Sequence, residues 1–370
     1  MSHPRYTKII QNLPATVPFV GPEAQERQRG TPFKARIGAN ESVFGPSPNA
    51  VSAIRDAAAD TWKYCDPDNY ELRQAIAALH GVAMDNVVIT EGIDGGLGVA
   101  NRLLVESGDT VITSDGAYPT FNFHVAACGG HSVKVPFKDD REDISALIDK
   151  AKTHQAKILY LTNPDNPMGT WWPASEVEQL IENLPDGTTL ILDEAYCDTA
   201  PADAIPAVNV SNPMVLRFRT FSKAYGLAGA RIGYCLGEAG VIANFDKVRN
   251  HYGINRLAQI AALAALQDQA HLKSTVAEIK KGRARIADIA RKNDLSPIES
   301  ATNFVAINLM RDGAFAQHVM KELLSRDIFV RMPAVSPLNR CIRIGVGTAE
   351  DLDLLEAMLP EALSAANHSS

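Results

Sequence analysis

Between residues 87 and 235, short β-branched segments alternate with amphipathic segments, and this alternation restricts the possible folds more than any other feature. Strand-like segments cover residues 87–90, 110–113, 132–136, 157–161, 189–193, 214–218 and 231–235. Apolar residues recur at helical spacing between several of them, at 97–106, 144–151 and 174–184. Strands that alternate with helices form a sheet covered by helices on both faces. The sequence therefore predicts an α/β fold around a mostly parallel seven-stranded sheet.

After residue 240 the pattern changes, which indicates a second, smaller α+β domain. Residues 256–292 have the spacing of one or two long helices. Strand-like segments then follow at 304–309, 328–332 and 341–346, together with helical segments at 314–326 and 351–365. The first 36 residues contain few core residues. We expect an N-terminal arm (1–36) that joins the small domain, a large domain (37–256) and a small C-terminal domain (257–370).

Composition argues against several classes of partner. The 370 residues include 36 Lys and Arg against 43 Asp and Glu, a net charge of −7, which disfavours nucleic-acid and anionic-membrane binding. The five cysteines form no CxxC pair and no zinc-like cluster, so we expect reduced thiols and no metal site. The N-terminus lacks the pattern of a signal peptide, and the apolar run at 260–266 is too short to span a bilayer. These features favour a cytoplasmic location.

Four polar segments lie where ligands bind in such sheets. Residues 163–169 and Asp193 both come at the ends of apolar strands, and residues 91–96 connect a strand to a helix. Lys223 lies in a loop rich in hydroxyl groups and small residues, eight positions before Arg231. Ligands of open α/β sheets bind at the carboxyl edge, so these segments are expected to converge there.

The residue types in these segments suit one small molecule. A lysine of lowered pKa forms Schiff bases with aldehydes, and a buried aspartate can pair with a cationic ring nitrogen. Thr220, Ser222, Arg231 and backbone amides after Gly92 can hold a phosphate. Aldehyde, pyridinium and phosphate together describe pyridoxal 5'-phosphate. Taken singly, Lys223 and Asp193 are better explained as a surface lysine and an ordinary carboxylate at the end of a strand.

The same segments resemble those of a known family. The chain is similar to the fold-type-I pyridoxal-phosphate-dependent aminotransferases, and among them to the histidinol-phosphate aminotransferases. The matching segments, which occur in the family's order, are 39–48, 64–73, 163–169, 193–196, 220–233 and 341–348. Together they make a far more specific signal than any one of them.

This resemblance implies roles for particular residues. Lys223 would be the catalytic Schiff-base lysine, and Asp193 would pair with the pyridine nitrogen. The other implied cofactor-binding residues are Asn166 and Tyr196 at the ring 3-oxygen, Tyr118 on the ring face, and Thr220, Ser222, Arg231, Ile93 and Asp94 at the phosphate.

The resemblance also implies substrates and an assembly. Arg343 would bind a substrate carboxylate, and Arg331 resembles a second anion-binding arginine. Tyr64 would contact the phosphate in the neighbouring subunit, which implies a homodimer with shared sites. The expected reaction moves an amino group from an amino acid to a 2-oxoacid by a ping-pong Schiff-base mechanism. The alternative is a decarboxylase of the threonine-phosphate type, which needs no acceptor.

Several positions depart from the family pattern. The changes are Phe19 in place of a tyrosine of the N-terminal arm, Cys65 in place of proline, Gly95 in place of glutamate, Met168 in place of threonine, and a bulky Trp171–Trp172 pair expected near the mouth of the site. We expect these changes to alter the substrate side. The resulting hypothesis is that aromatic or apolar amino acids react at least as readily as histidinol phosphate.

Overall fold

The computed structural model describes residues 4–15 and 20–368. The β-strands in these residues are β1 (Ala35–Arg36), β2 (Val87–Thr90), β3 (Thr110–Ser114), β4 (His131–Val135), β5 (Ile158–Thr162), β6 (Thr189–Asp193), β7 (Val215–Thr220), β8 (Gly233–Leu236), β9 (Ser296–Pro297), β10 (Phe304–Asn308), β11 (Ile328–Phe329) and β12 (Cys341–Gly345). Every strand predicted between residues 87 and 235 is present, with bounds that shift by at most about two residues.

The α-helices lie between and after these strands. They are α1 (Lys8–Gln11), α2 (Pro22–Arg29), α3 (Pro48–Ala57), α4 (Tyr70–His80), α5 (Gly92–Leu104), α6 (Pro119–Ala127), α7 (Ile144–Thr153), α8 (Ala174–Glu182), α9 (Ala239–Ala243), α10 (Arg256–Gln267), α11 (Gln269–Lys292), α12 (Gly313–Ser325) and α13 (Ala349–His368). None of the helices in the described part of the chain is long and apolar enough to cross a membrane.

The large sheet has seven strands in the order β2-β8-β7-β6-β5-β3-β4. Strands β3 to β7 run parallel, whereas β8 is antiparallel to both β7 and β2. The chain between β7 and β8 contains no crossover helix, so it returns in the opposite direction. This topology confirms the predicted α/β fold with a mostly parallel seven-stranded sheet.

The central strands β5 and β6 are buried on both faces, which explains their apolar runs. In β5, Ile158 and Tyr160 belong to the cluster that packs against α5 and α6. The intervening Leu159 and Leu161 belong to the opposite cluster, which packs against α7 and α8. Alternate side chains of a strand point to opposite faces, so a strand covered on both sides needs apolar residues at every position.

A second core surrounds a smaller α+β unit. Its antiparallel sheet has the order β12-β10-β9, and its buried side chains come from β10, β12, α11, α12 and α13. The N-terminal arm joins this unit, because β1 pairs in parallel with β11 and Ala35 is buried in the same cluster. The predicted smaller α+β domain is therefore present.

Candidate active site

A cavity of about 770 Å³ opens at the carboxyl edge of the large sheet. Strands β5, β6 and β7 are neighbours and end there at Thr162, Asp193 and Thr220. Twelve of the thirteen predicted site residues line this cavity, and they are Ile93, Asp94, Tyr118, Asn166, Asp193, Tyr196, Thr220, Ser222, Lys223, Arg231, Arg331 and Arg343. The fold thus brings together residues separated by as many as 250 positions.

Lys223 lies in the loop that follows β7, with its amine at the cavity wall. The Lys223 Nζ donates a hydrogen bond to the backbone carbonyl of Asn40 at 3.0 Å and lies 5.5 Å from the ring centre of Tyr196. Burial, followed by the positive charges of Arg343 and Arg231, lowers the pKa of Lys223 to about 8. A substantial fraction of the amine is therefore neutral near physiological pH, as a nucleophile or proton acceptor requires.

Asp193 ends β6 and has both carboxylate oxygens fixed by donors. Its Oδ2 accepts from the Tyr160 hydroxyl at 2.7 Å, and its Oδ1 accepts from the backbone N–H of Ala195 at 3.0 Å. Burial raises the pKa of Asp193 to about 6, and the bond from Tyr160 opposes that rise. The site thus holds an oriented carboxylate that is mostly ionised at neutral pH, which suits pairing with a cationic ring nitrogen.

Tyr196 and Asn166 each make a contact that orients their polar atoms. The Tyr196 hydroxyl oxygen accepts from Asn40 Nδ2 at 2.9 Å, and burial raises the pKa of Tyr196, so the phenol keeps its proton. Asn166 Oδ1 accepts a hydrogen bond from the guanidinium of Arg343. Its amide N–H groups are therefore available to donate into the cavity, as a contact with an anionic oxygen would require.

One end of the cavity has the features of a phosphate site. Ile93 lies in the first turn of α5, where helix N–H groups favour anions. The hydroxyls of Thr220 and Ser222 lie 3.0 Å apart, and the Arg231 guanidinium is 3.5 Å from the Ser222 hydroxyl. A Cβ on Gly92 would lie 2.6 Å from that guanidinium, so only glycine allows this close approach.

Asp94 and Tyr118 lie on the same side of the cavity, on the first turn of α5 and directly before α6. Asp94 Oδ1 is 3.1 Å from Nε2 of His124, which ties the beginning of α5 to α6. Burial raises the pKa of Tyr118, so this phenol is also neutral. Its partly buried ring contributes to the core cluster between the two helices and the sheet.

Two further arginines line the same cavity. Arg331 and Arg343 form an isolated antiparallel bridge, with the Arg343 N–H bonded to the Arg331 carbonyl at 2.6 Å. Burial and the charge of Arg343 lower the pKa of Arg331 to about 10, and its guanidinium donates to the carbonyl of Val20. Both side chains remain cationic at neutral pH, so this pair of arginines attracts an anionic group.

Tyr64 is the one predicted site residue that does not line the cavity. Its side chain is 82 % exposed, and its ring centre lies 5.2 Å from that of Tyr252. The family resemblance implies that Tyr64 contacts the site of a neighbouring subunit, and this contact stays a prediction.

Three buried residues contact the predicted site residues or one another, although the sequence-based prediction assigns them no role. Tyr160 bonds Asp193, Asn40 bonds Tyr196 and Lys223, and Asn303 Nδ2 donates to the Asn40 carbonyl at 3.1 Å. Tyr160 could have been identified from the sequence, because it carries a hydroxyl while the other three residues of 158–161 are aliphatic. The partners of Asn40 and Asn303 are too distant in sequence for such an identification.

The expected position of the Trp171–Trp172 pair near the mouth of the site is wrong. Trp171 and Trp172 do not line the cavity; the Trp172 indole N–H donates to the carbonyl of Glu142 at 2.8 Å and faces a separate surface cavity. Met168 is fully buried beside Leu338 and Cys341. Gly95 and Cys65 also lie outside the cavity lining, while Phe19 falls outside the described residues.

Comparisons with known proteins agree with this geometry. The sequence profile of the family described as aminotransferase class I and II matches residues 34–358. This chain belongs to that family. The crystal structure of histidinol-phosphate aminotransferase from Sinorhizobium meliloti in complex with pyridoxal 5'-phosphate is 52% identical, covers 98% of both chains and has a TM-score of 0.95.

The chain is also similar in sequence to proteins named histidinol-phosphate aminotransferases. Histidinol-phosphate aminotransferase 1 of Mesorhizobium japonicum is 33% identical over 91% of this chain and 92% of its own length. Histidinol-phosphate aminotransferase of Moorella thermoacetica is 29% identical over 98% of this chain and 94% of its own length. The chain is a pyridoxal-phosphate-dependent aminotransferase that acts on small molecules, which confirms the predicted activity and cofactor; the decarboxylase alternative has no better support.

Proposed function

We propose that the residues lining the cavity hold pyridoxal 5'-phosphate in the roles that the sequence predicts. The cavity fits the cofactor because it has a buried carboxylate, an amine of lowered pKa and a phosphate site in which Gly92 allows the close approach of Arg231. Lys223 would bond the aldehyde and Asp193 the ring nitrogen. The remaining contacts would come from Asn166 and Tyr196 at the ring 3-oxygen, Tyr118 at the ring face, and Thr220, Ser222, Arg231 and the amides of Ile93 and Asp94 at the phosphate.

Different side chains of the protein then have different roles in the reaction. When bound, the cofactor supplies a carbon that takes the amino group and a ring that accepts electrons. Lys223 Nζ, which is partly neutral below pH 8, moves a proton from the substrate carbon that bears the amino group. Asp193 keeps the ring nitrogen protonated, because a buried carboxylate is stabilised by an adjacent cation. A 2-oxoacid accepts the amino group in the second half of the cycle.

The amino donor that the site supports best is histidinol phosphate. Arg331 and Arg343 are paired across an antiparallel bridge and both line the cavity, and two guanidinium groups match a phosphate dianion better than a single carboxylate does. The names of the relatives support the same donor. The hypothesis that aromatic or apolar amino acids react at least as readily as histidinol phosphate stays a prediction, and the same experiment tests it.

That experiment adds single amino donors to the holoenzyme and follows the visible absorbance of the cofactor. Histidinol phosphate should abolish the band, and 2-oxoglutarate should restore it. Arg331→Gln should raise the KM for histidinol phosphate by about tenfold or more, but that for phenylalanine much less, because a carboxylate needs one arginine. The exposed Arg291→Gln is the matched control. Response to phenylalanine with none to histidinol phosphate would contradict this substrate.

The loss of Lys223 tests the catalytic assignment separately. Lys223→Ala should abolish turnover with every donor while leaving the melting temperature close to that of the wild type. Normal turnover by this variant would overturn the role of Lys223. Release of CO₂ in the absence of any oxoacid would favour the decarboxylase instead.

We also propose a homodimer in which Tyr64 contacts the phosphate of the partner's site. The 82 % exposure of Tyr64 supports this arrangement.

We propose two domains with the predicted bounds, 37–256 and 257–370, the second joined by the arm 1–36. Helix α10, at the start of the second range, packs in the core of the larger domain. The cytoplasmic location is likewise a proposal, supported by five free cysteines in the described residues.

A further inference from the structure

The segment between β1 and α3 places Asn40 at the wall of the cavity. Asn40 is 5% exposed and has a φ of 56°, a left-handed conformation that asparagine and glycine adopt more easily than other residues. The segment 39–48 matches the family in sequence, yet none of the roles proposed above uses Asn40.

Asn40 contacts both Tyr196 and Lys223. Its backbone carbonyl accepts from Lys223 Nζ at 3.0 Å and from Asn303 Nδ2 at 3.1 Å. Its side-chain amide donates to the Tyr196 hydroxyl at 2.9 Å. Asn303, which is 1% exposed, also donates to the carbonyl of Glu41 at 3.2 Å and so fixes the segment. One residue therefore touches the amine and the phenol from the same side.

We propose that Asn40 is a positioning residue that directs the Tyr196 proton and the Lys223 lone pair toward the bound cofactor. A phenol has a single donor, and an incoming N–H at its oxygen leaves that proton free to point into the cavity. While Lys223 is a free amine, a carbonyl that accepts one of its N–H groups likewise leaves the lone pair facing away from that carbonyl. This inference rests on the proposed cofactor contacts of Tyr196 and Lys223.

The consequence is measurable as a shift in the pH at which the visible absorbance of the cofactor changes. Donation by Tyr196 stabilises the anionic ring 3-oxygen, so weaker donation makes the protonated cofactor persist to higher pH. Tyr196→Phe removes the donor and should raise the midpoint of the visible absorbance change by about 1–2 pH units. Asn40→Gly keeps the left-handed backbone and removes the amide, so it should raise the midpoint by roughly half a unit.

The experiment titrates the visible absorbance of holoenzyme in the wild type, Asn40→Gly, Tyr196→Phe and the double variant. We expect the double variant to match Tyr196→Phe, because Asn40 acts through that hydroxyl. Asn40→Asp keeps the size of the side chain but accepts the Tyr196 proton, so its midpoint should rise further than that of Asn40→Gly. Asp294→Gly, at an exposed left-handed residue, is the matched control with no expected shift.

The outcomes separate this inference from the proposed function. A wild type without a cofactor band would overturn both. A normal wild-type band with unchanged midpoints in Asn40→Gly and Asn40→Asp would overturn the positioning role alone. An equal shift from Asn40→Gly in the presence and absence of the Tyr196 hydroxyl would also overturn it. Melting temperatures of all variants show whether a shift accompanies unfolding.

Discussion

Replacing Tyr160 by phenylalanine removes one hydroxyl from beneath the cofactor site and leaves the surrounding packing in place. Tyr160 is fully buried, and its ring stacks on Phe121 with centres 4.0 Å apart and planes at 11°. Phenylalanine preserves this stack, so the variant should fold. What it loses is the 2.7 Å hydrogen bond to Asp193 Oδ2.

The magnitude follows from the charge on Asp193. A hydrogen bond to an ionised group contributes about 1.5–3 kcal/mol, which corresponds to about 1–2 pKa units. Burial already raises the pKa of Asp193 to about 6, and the Tyr160 bond acts against that rise. Its loss should move the pKa further upward. The neutral carboxylic acid cannot pair with a ring cation, so activity should disappear at a higher pH than in the wild type.

The assay is the pH dependence of kcat/KM, which reports ionisations of the free enzyme. We expect the acid limb of the Tyr160→Phe profile to lie about one pH unit or more above that of the wild type. Tyr6→Phe, at a tyrosine that is 58% exposed, controls for the loss of a hydroxyl elsewhere. An acid limb that stays in place, or one that moves to lower pH, would refute this account of Asp193.

Two further predictions concern stability. Burial raises the pKa of Glu142 to about 8, above its ordinary value of about 4.3. Protonated Glu142 therefore stabilises the folded state, and this stabilisation is fully present below about pH 4.3 and is lost as the pH rises through about 8. Glu142→Gln should therefore flatten the fall in melting temperature from pH 5 to 9, unlike the exposed Glu106→Gln; parallel curves would contradict this. Gly226→Ala should cost more than the roughly 1–2 kcal/mol of Gly187→Ala in denaturant unfolding. Both glycines have positive φ, but a Cβ on Gly226 would lie 2.2 Å from the Gly45 carbonyl, whereas Gly187 has open space; equal losses would refute the clash.

The strands of the large sheet and several polar residues at its carboxyl edge could be predicted from sequence because their signals are local, and the family resemblance supplied the remaining site residues. An apolar run such as 189–193 indicates a strand covered on both faces, and the polar residue that ends it must lie at the sheet edge. Asp193 ends β6 and Lys223 follows the neighbouring strand β7, so both reach one cavity. The Trp171–Trp172 pair shows the limit of this reasoning. Trp172 is near the site in sequence, yet its hydrogen bonds to Asn163 and Glu142 hold it at a different cavity.

The sequence by itself thus determined the sheet, the family and the residue types that gather at the carboxyl edge. Tertiary structure alone decided how those residues are oriented. Asn40 and Lys223 are 183 positions apart, and Tyr160 and Asp193 are 33 apart on adjacent strands. Such contacts depend on the register of β5 against β6 and on the docking of the N-terminal segment against Asn303. Periodicity records which face a side chain occupies, whereas a hydrogen bond depends on distances and angles that only the packed chain fixes.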